Sequence, residues 1–560
     1  MLLSDIIYEY EEQIIYHLRK LIQIRSVWDE AVPGRPNQPY GEGVDEALQY
    51  MLRLGEELGF QVKNIDGYAG HVEYGSGEEL IAVLVHLDTV HEGDGWTYPP
   101  FGAVIDHGKI FGRGASDDKG AAVVALFALK ALQKIGVAPS KRVRIIFGTH
   151  EESGMQDMDY YFAREQKPDL AFTPDAGYPI FNRELGNINV AISWQREQGV
   201  KIEMEEAEHN AAQSENAEQN AALTLVSAAP VTRTADNGVP DIWTAGDEVS
   251  VSRTADNEVP VTRTGDNEVA VTRTGDNEVA VTRTGADGVR LLTMEGGKPF
   301  SFIPERCEAV FALSSEHTER AMRVLSNEHN IELELDTDKN LLRVTASNLP
   351  LEQTAGTLAA APAASPTNAI VNMISWLHSA KIDQELALFY TYLHERIGKE
   401  TNGNSLGIRC EDDVSGPLQV YLRTIRADTR HIEALVNIRY PVTKDGDEIM
   451  RTITDTLPFP AIKVDERRHL KPVYVPADHP LIQKLGTAYR KVTGEQAELL
   501  QMGAGTYSRK LPDRCVAFGP GLPGAAHTNV HAADEYIEIA SLMKHATICA
   551  QGIYELICEP

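Results

Sequence analysis

Apolar residues recur at three- and four-residue spacing in the first segment. Ile7, Tyr10, Ile14, Leu18, Leu21 and Ile22 share one face, which predicts an amphipathic helix capped by Ser4 or Asp5. The pattern then changes. Residues 80–85 are an apolar run of buried-strand length and 143–147 another, interrupted only at Arg144, and residues 120–135 between them have the Ala/Leu/Val richness of a packed helix. Strand, helix and strand in this order predict an α/β sandwich with at least part of its sheet parallel.

The rhythm breaks near Ser193. Residues 203–225 are rich in Glu, Ala, Asn and Gln, and a ten-residue repeat follows, with close copies starting at Val251, Val261 and Val271. Each copy alternates Val-Thr-Arg-Thr and then carries a Gly/Ala-Asp-Asn turn signal that could close small hairpins. The composition favours a solvated, disordered insertion that buries little. Regular patterning resumes near Val289, with a helix expected over 368–377 and a strand over 435–440. The α/β style returns near Tyr474. A middle domain inserted into a discontinuous outer one follows. The expected division is 1–186 and 468–560 for the outer domain and 187–467 for the inserted α+β domain, with 196–288 as its repetitive insertion.

Length and charge narrow the class. At 560 residues more than one domain is expected. The net charge of −30 argues against nucleic acid or an anionic membrane as partner. No apolar run is long enough to span a bilayer, and the first residues lack the pattern of a signal peptide. Cys307, Cys410, Cys515, Cys549 and Cys558 form neither a disulfide framework nor a CxxC site, which fits a reducing cytoplasm.

Candidate chemistry lies at the ends of the predicted strands. His86 and Asp88, two apart in extended chain, project from one face, so an imidazole can meet a metal with a carboxylate behind it. Asp117, in the glycine-punctuated run 112–120 before a helix, is placed to bridge two cations; Asp118 reads as structural. Glu151 and Glu152 follow the strand 143–147. Adjacent side chains diverge there, so Glu151 can serve as general base while Glu152 ligates. Asp175 adds a carboxylate after 170–172, and His531, rather than His527, completes the set. Imidazole and carboxylate donors without thiolate suit two Zn²⁺ ions, with Co²⁺ or Mn²⁺ as alternatives.

Together these residues resemble the di-zinc metallopeptidase family of aminoacylase, carboxypeptidase G and succinyl-diaminopimelate desuccinylase. His86-Leu87-Asp88-Thr89-Val90, the 112–120 run and Asp157-Met158-Asp159-Tyr160-Tyr161-Phe162 look most like its bacterial PepV-type dipeptidase branch. The resemblance implies a catalytic domain with an inserted lid. One zinc would be held by His86 and Asp175, the other by Glu152 and His531, with Asp117 bridging, Asp88 orienting His86 and Glu151 as base. It also implies a cis peptide after Asp117, an expensive geometry outside proline. Arg439 resembles the lid arginine that takes a substrate's C-terminal carboxylate. Gly503, Gly505 and Thr506 resemble the loop lining the substrate pocket. The expected substrate is a small peptide with a free C-terminus, and the protein a monomer or homodimer.

Two departures stand out. The lid segment 355–369 has no histidine where the family carries an Ala-His-Ala-Ser type sequence, and Ser301-Phe302-Ile303-Pro304 replaces a lid asparagine. Loss of an oxyanion donor typically lowers turnover by about 10²–10³. Three activities follow as alternatives: a dipeptidase, an N-acyl-amino-acid deacylase on the same centre, or a catalytically impaired, metal-loaded peptide-binding protein.

Overall fold

A computed structural model of the chain describes residues 3–31, 34–137, 139–195, 201–202, 250–251, 261–262, 269–274, 278–283, 289–297, 303–313, 330–337, 339–348, 368–380, 383, 386–398, 400–457 and 462–558. The larger sheet has nine strands. Its order is Gln61–Ile65, Ala69–Tyr74, Arg142–Gly148, Leu80–His86, Leu170–Thr173, Cys515–Ala517, Ile180–Glu184 and Val473–Tyr474, with Leu499–Met502 also paired to Ile180–Glu184. The centre is parallel: Leu80–His86 runs parallel to Arg142–Gly148 and to Leu170–Thr173, which is parallel in turn to Cys515–Ala517.

Why the central strands read as continuous apolar runs is now clear. Ile81, Val83 and Val85 pack into a core shared with helices Glu11–Ile22, Lys119–Lys134 and Ile539–Ile557. Ala82 and Leu84 face the opposite layer, with Met158, Tyr161 and Tyr507. Both faces are covered, so alternation is absent. Helix Lys119–Lys134 is buried almost all round over its first three turns, which explains the unbroken apolar stretch 120–129. The first segment differs from the single helix expected. Helices Leu3–Glu9 and Glu11–Ile22 meet at Tyr10, whose φ of −96° and ψ of 2° break the ladder, while Ile6, Ile7, Ile14 and Leu18 still share one core.

The second sheet has eight strands, all antiparallel: Ile331–Asp336, Leu341–Ser347, Arg306–Leu313, Val289–Gly296, Gln419–Ala427, His431–Tyr440, Gly186–Gln195 and Ile462–Leu470. Alternate residues such as Val436 and Ile438 enter a core with helices Ala369–Ala380, Ala387–Arg396 and Gly446–Asp455. The intervening positions carry Asn187, Asn189 and Arg439. In the repeat tract the described residues are short strands, among them the antiparallel pair Val269–Thr274 and Glu278–Arg283. The remaining repeats, residues 355–367, and Ser301 and Phe302 lie outside the described residues. No helix among the described residues is long and apolar enough to cross a membrane.

The chain passes between the sheets at two adjacent places. Leu185 alone links Ile180–Glu184 to Gly186–Gln195, and Lys471 and Pro472 lead back from Ile462–Leu470 to Val473–Tyr474. Arg509 ties both crossings. Its guanidinium donates to the Lys471 carbonyl at 2.5 Å and the Leu185 carbonyl at 2.9 Å, and its Nε lies 3.1 Å from the buried Glu184 carboxylate. Breaking a buried pair by removing one partner leaves an uncompensated charge. Arg509→Met is therefore expected to lower unfolding free energy by about 3–5 kcal/mol, measured by denaturant unfolding of the full chain; a change below about 1 kcal/mol would count against the tie.

Candidate metal and active site

Ligands of an open α/β sheet gather beyond the carboxyl ends of its parallel strands, and that is where the candidate residues meet. His86 closes Leu80–His86, Glu151 and Glu152 follow Arg142–Gly148, and Asp175 follows Leu170–Thr173. Asp117 stands before helix Lys119–Lys134, and the Asp117–Asp118 peptide is cis. His86 Nε2 lies 2.9 Å from Asp117 Oδ1 and 3.8 Å from Asp175 Oδ1. His531 Nε2 lies 3.1 Å from Asp117 Oδ2 and 3.1 Å from Glu152 Oε2. Asp117 thus has one oxygen toward each imidazole. His527 instead turns its Nδ1 to the Asn529 amide at 3.0 Å.

Two groups of donor atoms could each hold a cation: His86, Glu151 and Asp175, and His86, Asp117 and Glu152, with the atoms of each group within 4.8 Å of one another. Glu151, read from sequence as a base, therefore also stands at ligand distance.

The electrostatics follow from crowding. Burial pushes Glu152 up to about 7, with Asp117 adding repulsion that the His531 imidazole only partly offsets. Burial likewise pushes Asp175 up to about 6. Glu151 is raised well above the usual carboxylate range by burial and then by Asp175. Burial works to raise Asp117 as well, but hydrogen bonds from His531 and His86 outweigh it and hold its carboxyl low. His531, which burial would lower, is raised to about 11 by Asp117 and Glu152. Protons on the imidazoles stand between the carboxylates.

Asp88 divides its role differently from the sequence expectation. His86 Nδ1 meets the Asp88 main-chain oxygen at 2.9 Å, while the carboxylate oxygen is 3.6 Å away. That carboxylate accepts the amides of Glu151 at 3.1 Å and Glu152 at 3.2 Å, so it shapes the turn that presents them. Asp157 supports the same turn. It accepts the Thr149 amide at 2.7 Å, the His150 amide at 3.1 Å and the Tyr507 hydroxyl. Gly148 admits that tyrosine, since a Cβ there would fall 1.9 Å from its hydroxyl. Asp118 takes the His86 amide at 3.2 Å.

On the second sheet, Arg439 meets the Gly503 loop. Gly503 packs against it: a Cβ on Gly503 would lie 2.4 Å from the guanidinium carbon. Asn437 donates to Asn187 at 2.7 Å and to Asn189 at 2.9 Å, and Asn187 donates to the Gly503 carbonyl at 3.1 Å. This amide chain joins the Arg439 strand to the Gly503 loop. Gly505 packs on Arg509, and the Thr506 hydroxyl donates to Glu184 at 2.7 Å, so Thr506 fixes the loop from behind. Beyond the run around Asp157, no local pattern marks Asp157, Asn187 or Asn437, because most of their partners are distant in the chain.

Comparison with known proteins agrees. The sequence matches peptidase family M20/M25/M40 over residues 82–555. It is 31% identical over 556 residues to the Bacillus subtilis (strain 168) protein named "Putative dipeptidase YtjP", covering 98% of this chain and 97% of that one. The fold resembles human carnosine dipeptidase 1 (TM-score 0.50, 13% identity, 100% of this chain and 99% of that chain). It also resembles the di-peptidase Dug1p of Saccharomyces cerevisiae (TM-score 0.52, 12% identity, 100% and 98%). The chain belongs to peptidase family M20/M25/M40 and is an enzyme of that family.

Asp157→Ala would leave two buried amides without an acceptor. An unfolding free energy lower by at least about 2 kcal/mol is expected, read from urea denaturation, and an unchanged midpoint would remove Asp157 from the support of the Glu151 turn.

Proposed function

We propose that this enzyme is a zinc-dependent dipeptidase. One observation carries the reading: Asp117, Glu151, Glu152 and Asp175 crowd with two imidazoles in a site whose His86 and Glu151 are buried and whose other members are partly open to solvent. Like charges so placed need cations between them, and the all-oxygen-and-nitrogen donor set suits Zn²⁺, with Co²⁺ or Mn²⁺ able to replace it. The name of the Bacillus subtilis relative points the same way. His86 and Asp175 would hold one ion, Glu152 and His531 the other, and Asp117 both. Residues 1–186 and 468–560 would form the catalytic domain and 187–467 the lid. Five cysteines without a disulfide fit a cytoplasmic setting.

Bound zinc would supply the Lewis acidity that polarises the scissile carbonyl and acidifies the attacking water. Glu151 takes the proton from that water and delivers it to the leaving amine. Burial lifts its carboxyl, the direction that suits proton transfer near neutrality. Asp88 holds the Glu151 and Glu152 amides so that the two side chains diverge. Arg439 takes the substrate's C-terminal carboxylate. Burial lowers it to about 10, which leaves it cationic at neutral pH.

Two expectations follow. The zinc-loaded enzyme should cleave unblocked dipeptides faster than dipeptide amides or N-acetyl amino acids, and Glu151→Gln should lower kcat by about 10²–10⁴ while zinc still binds. Faster turnover of N-acetyl amino acids would make it a deacylase. Tight dipeptide binding without turnover under any of the three metals would favour the impaired binder that the histidine-free segment 355–369 suggests.

Zinc binding should also release protons. His531, raised to about 11, is protonated at neutral pH without metal, and Glu152 at about 7 is partly so. A ligating imidazole must be neutral, so apparent affinity should strengthen as pH rises and weaken as it falls. Calorimetry in buffers of different ionisation enthalpy should give at least about one proton released per protein at pH 7; zero release would contradict this ligand set.

A further inference from the structure

Asp117 and Glu535 stand 418 residues apart in sequence, yet one carboxylate fastens the two turns that carry Asp117 and His531. Glu535 is fully buried. Its Oε2 accepts from Arg113 Nη1 at 2.7 Å and from the Gly114 amide at 3.0 Å. Its Oε1 accepts the amides of Ser116 at 2.9 Å and of Asp117 itself at 3.1 Å. The main chain joins in: the Gly112 amide donates to the Glu535 carbonyl at 2.9 Å, and Arg113 Nη2 donates to the Ala532 carbonyl at 3.2 Å. All these donors belong to the turn that ends at Asp117.

The His531 turn needs such fastening. Asn529, His531 and Asp534 all have left-handed backbones, with φ of 57°, 63° and 56°. A turn so built from non-glycine residues persists only where its surroundings hold it. Asp534 supplies a separate anchor by accepting the Thr97 amide at 2.8 Å and the Tyr98 amide at 3.1 Å, away from Asp117.

We propose that Glu535 is a positioning residue that sets Asp117 and His531 in register and thereby builds the cation position shared by His531, Glu152 and Asp117. The proposal rests on the metal-centre reading above. The position at His86 and Asp175 hangs on the ends of two parallel strands and shares only Asp117 with the other, so Glu535 bears on it through one ligand and on the other position through two. Four donors acting on both oxygens explain why glutamate is needed: an amide side chain offers one acceptor oxygen and turns an N–H toward the others.

The test is calorimetric titration of the metal-stripped full chain with Zn²⁺, comparing wild type, Glu535→Gln, Glu535→Asp and Asp534→Ala. Wild type should take two ions. Glu535→Gln should bind one ion about 10–100-fold more weakly and the other with a much smaller loss. Glu535→Asp keeps the charge for Arg113 but falls short of the Ser116 and Asp117 amides, so it should show the same unequal loss and decides the matter if Glu535→Gln does not fold. Asp534→Ala should melt earlier but bind both ions normally. Two wild-type affinities in the Glu535 variants, or equal weakening of both sites in step with a lowered melting temperature, would overturn the proposal. A wild-type protein taking fewer than two ions would instead sink the metal-centre reading.

Discussion

Mutual repulsion among buried carboxylates is the constraint around which the site is organised. Two like charges about 4 Å apart near a protein surface repel by about 4 kcal/mol, and burial adds a desolvation penalty to each. Asp117, Glu151, Glu152 and Asp175 endure this together. Without metal, the imidazoles of His86 and His531 hold the compensating protons, and burial keeps part of the carboxylate set protonated. Such an arrangement is poor for stability and good for capturing cations. The surrounding fold has to hold the groups in place against their own repulsion.

It does so by dividing the work between strands and turns. The parallel strands supply fixed ends for His86, Glu151 and Asp175, because they are laddered to one another and both faces of the sheet are packed. The turns are held by buried acidic side chains that never reach the cation positions. Asp88 and Asp157 hold the Glu151 turn, and Asp118 takes the His86 amide. A carboxylate accepting several backbone amides makes charge-assisted bonds, so each of these acids converts a loop into a rigid mount.

How much of this the chain discloses in advance depends on the range of each interaction. The runs 80–85 and 143–147 and the helix between them are local signals; the observed strands Leu80–His86 and Arg142–Gly148 extend theirs by a residue or two, and helix Lys119–Lys134 lies one residue earlier than the expected 120–135. The helix break at Tyr10 left no mark, because the apolar face continues across it. The second sheet was legible mainly near 435–440, since strands such as Ile331–Asp336 and Ile462–Leu470 bury few of their residues fully. The candidate ligands could be named because strand ends concentrate chemistry. Their supports could not: a lone Asp157 or Asn437 has no periodicity, and its partners exist only once the chain has folded.

Charge also shapes which substrates fit. Two divalent ions would balance four carboxylates by count, so the metal end offers little net attraction for a substrate's ammonium group. At the other end Arg439 lies in the field of Arg423 and Arg509, and it keeps its charge despite burial. With Arg439 in the role proposed for it, electrostatics would select for a free C-terminal carboxylate, a feature that dipeptides share with N-acyl amino acids. Discrimination by length would then be geometric. It would depend on the distance between Arg439 and the strand ends that carry Glu151 and Asp175. That distance is governed by the Asn187 and Asn437 amides at the Gly503 loop and by Arg509 across the Leu185 and Lys471 crossings. Under the proposed function, the residues that tie one sheet to the other would act as the ruler for the substrate.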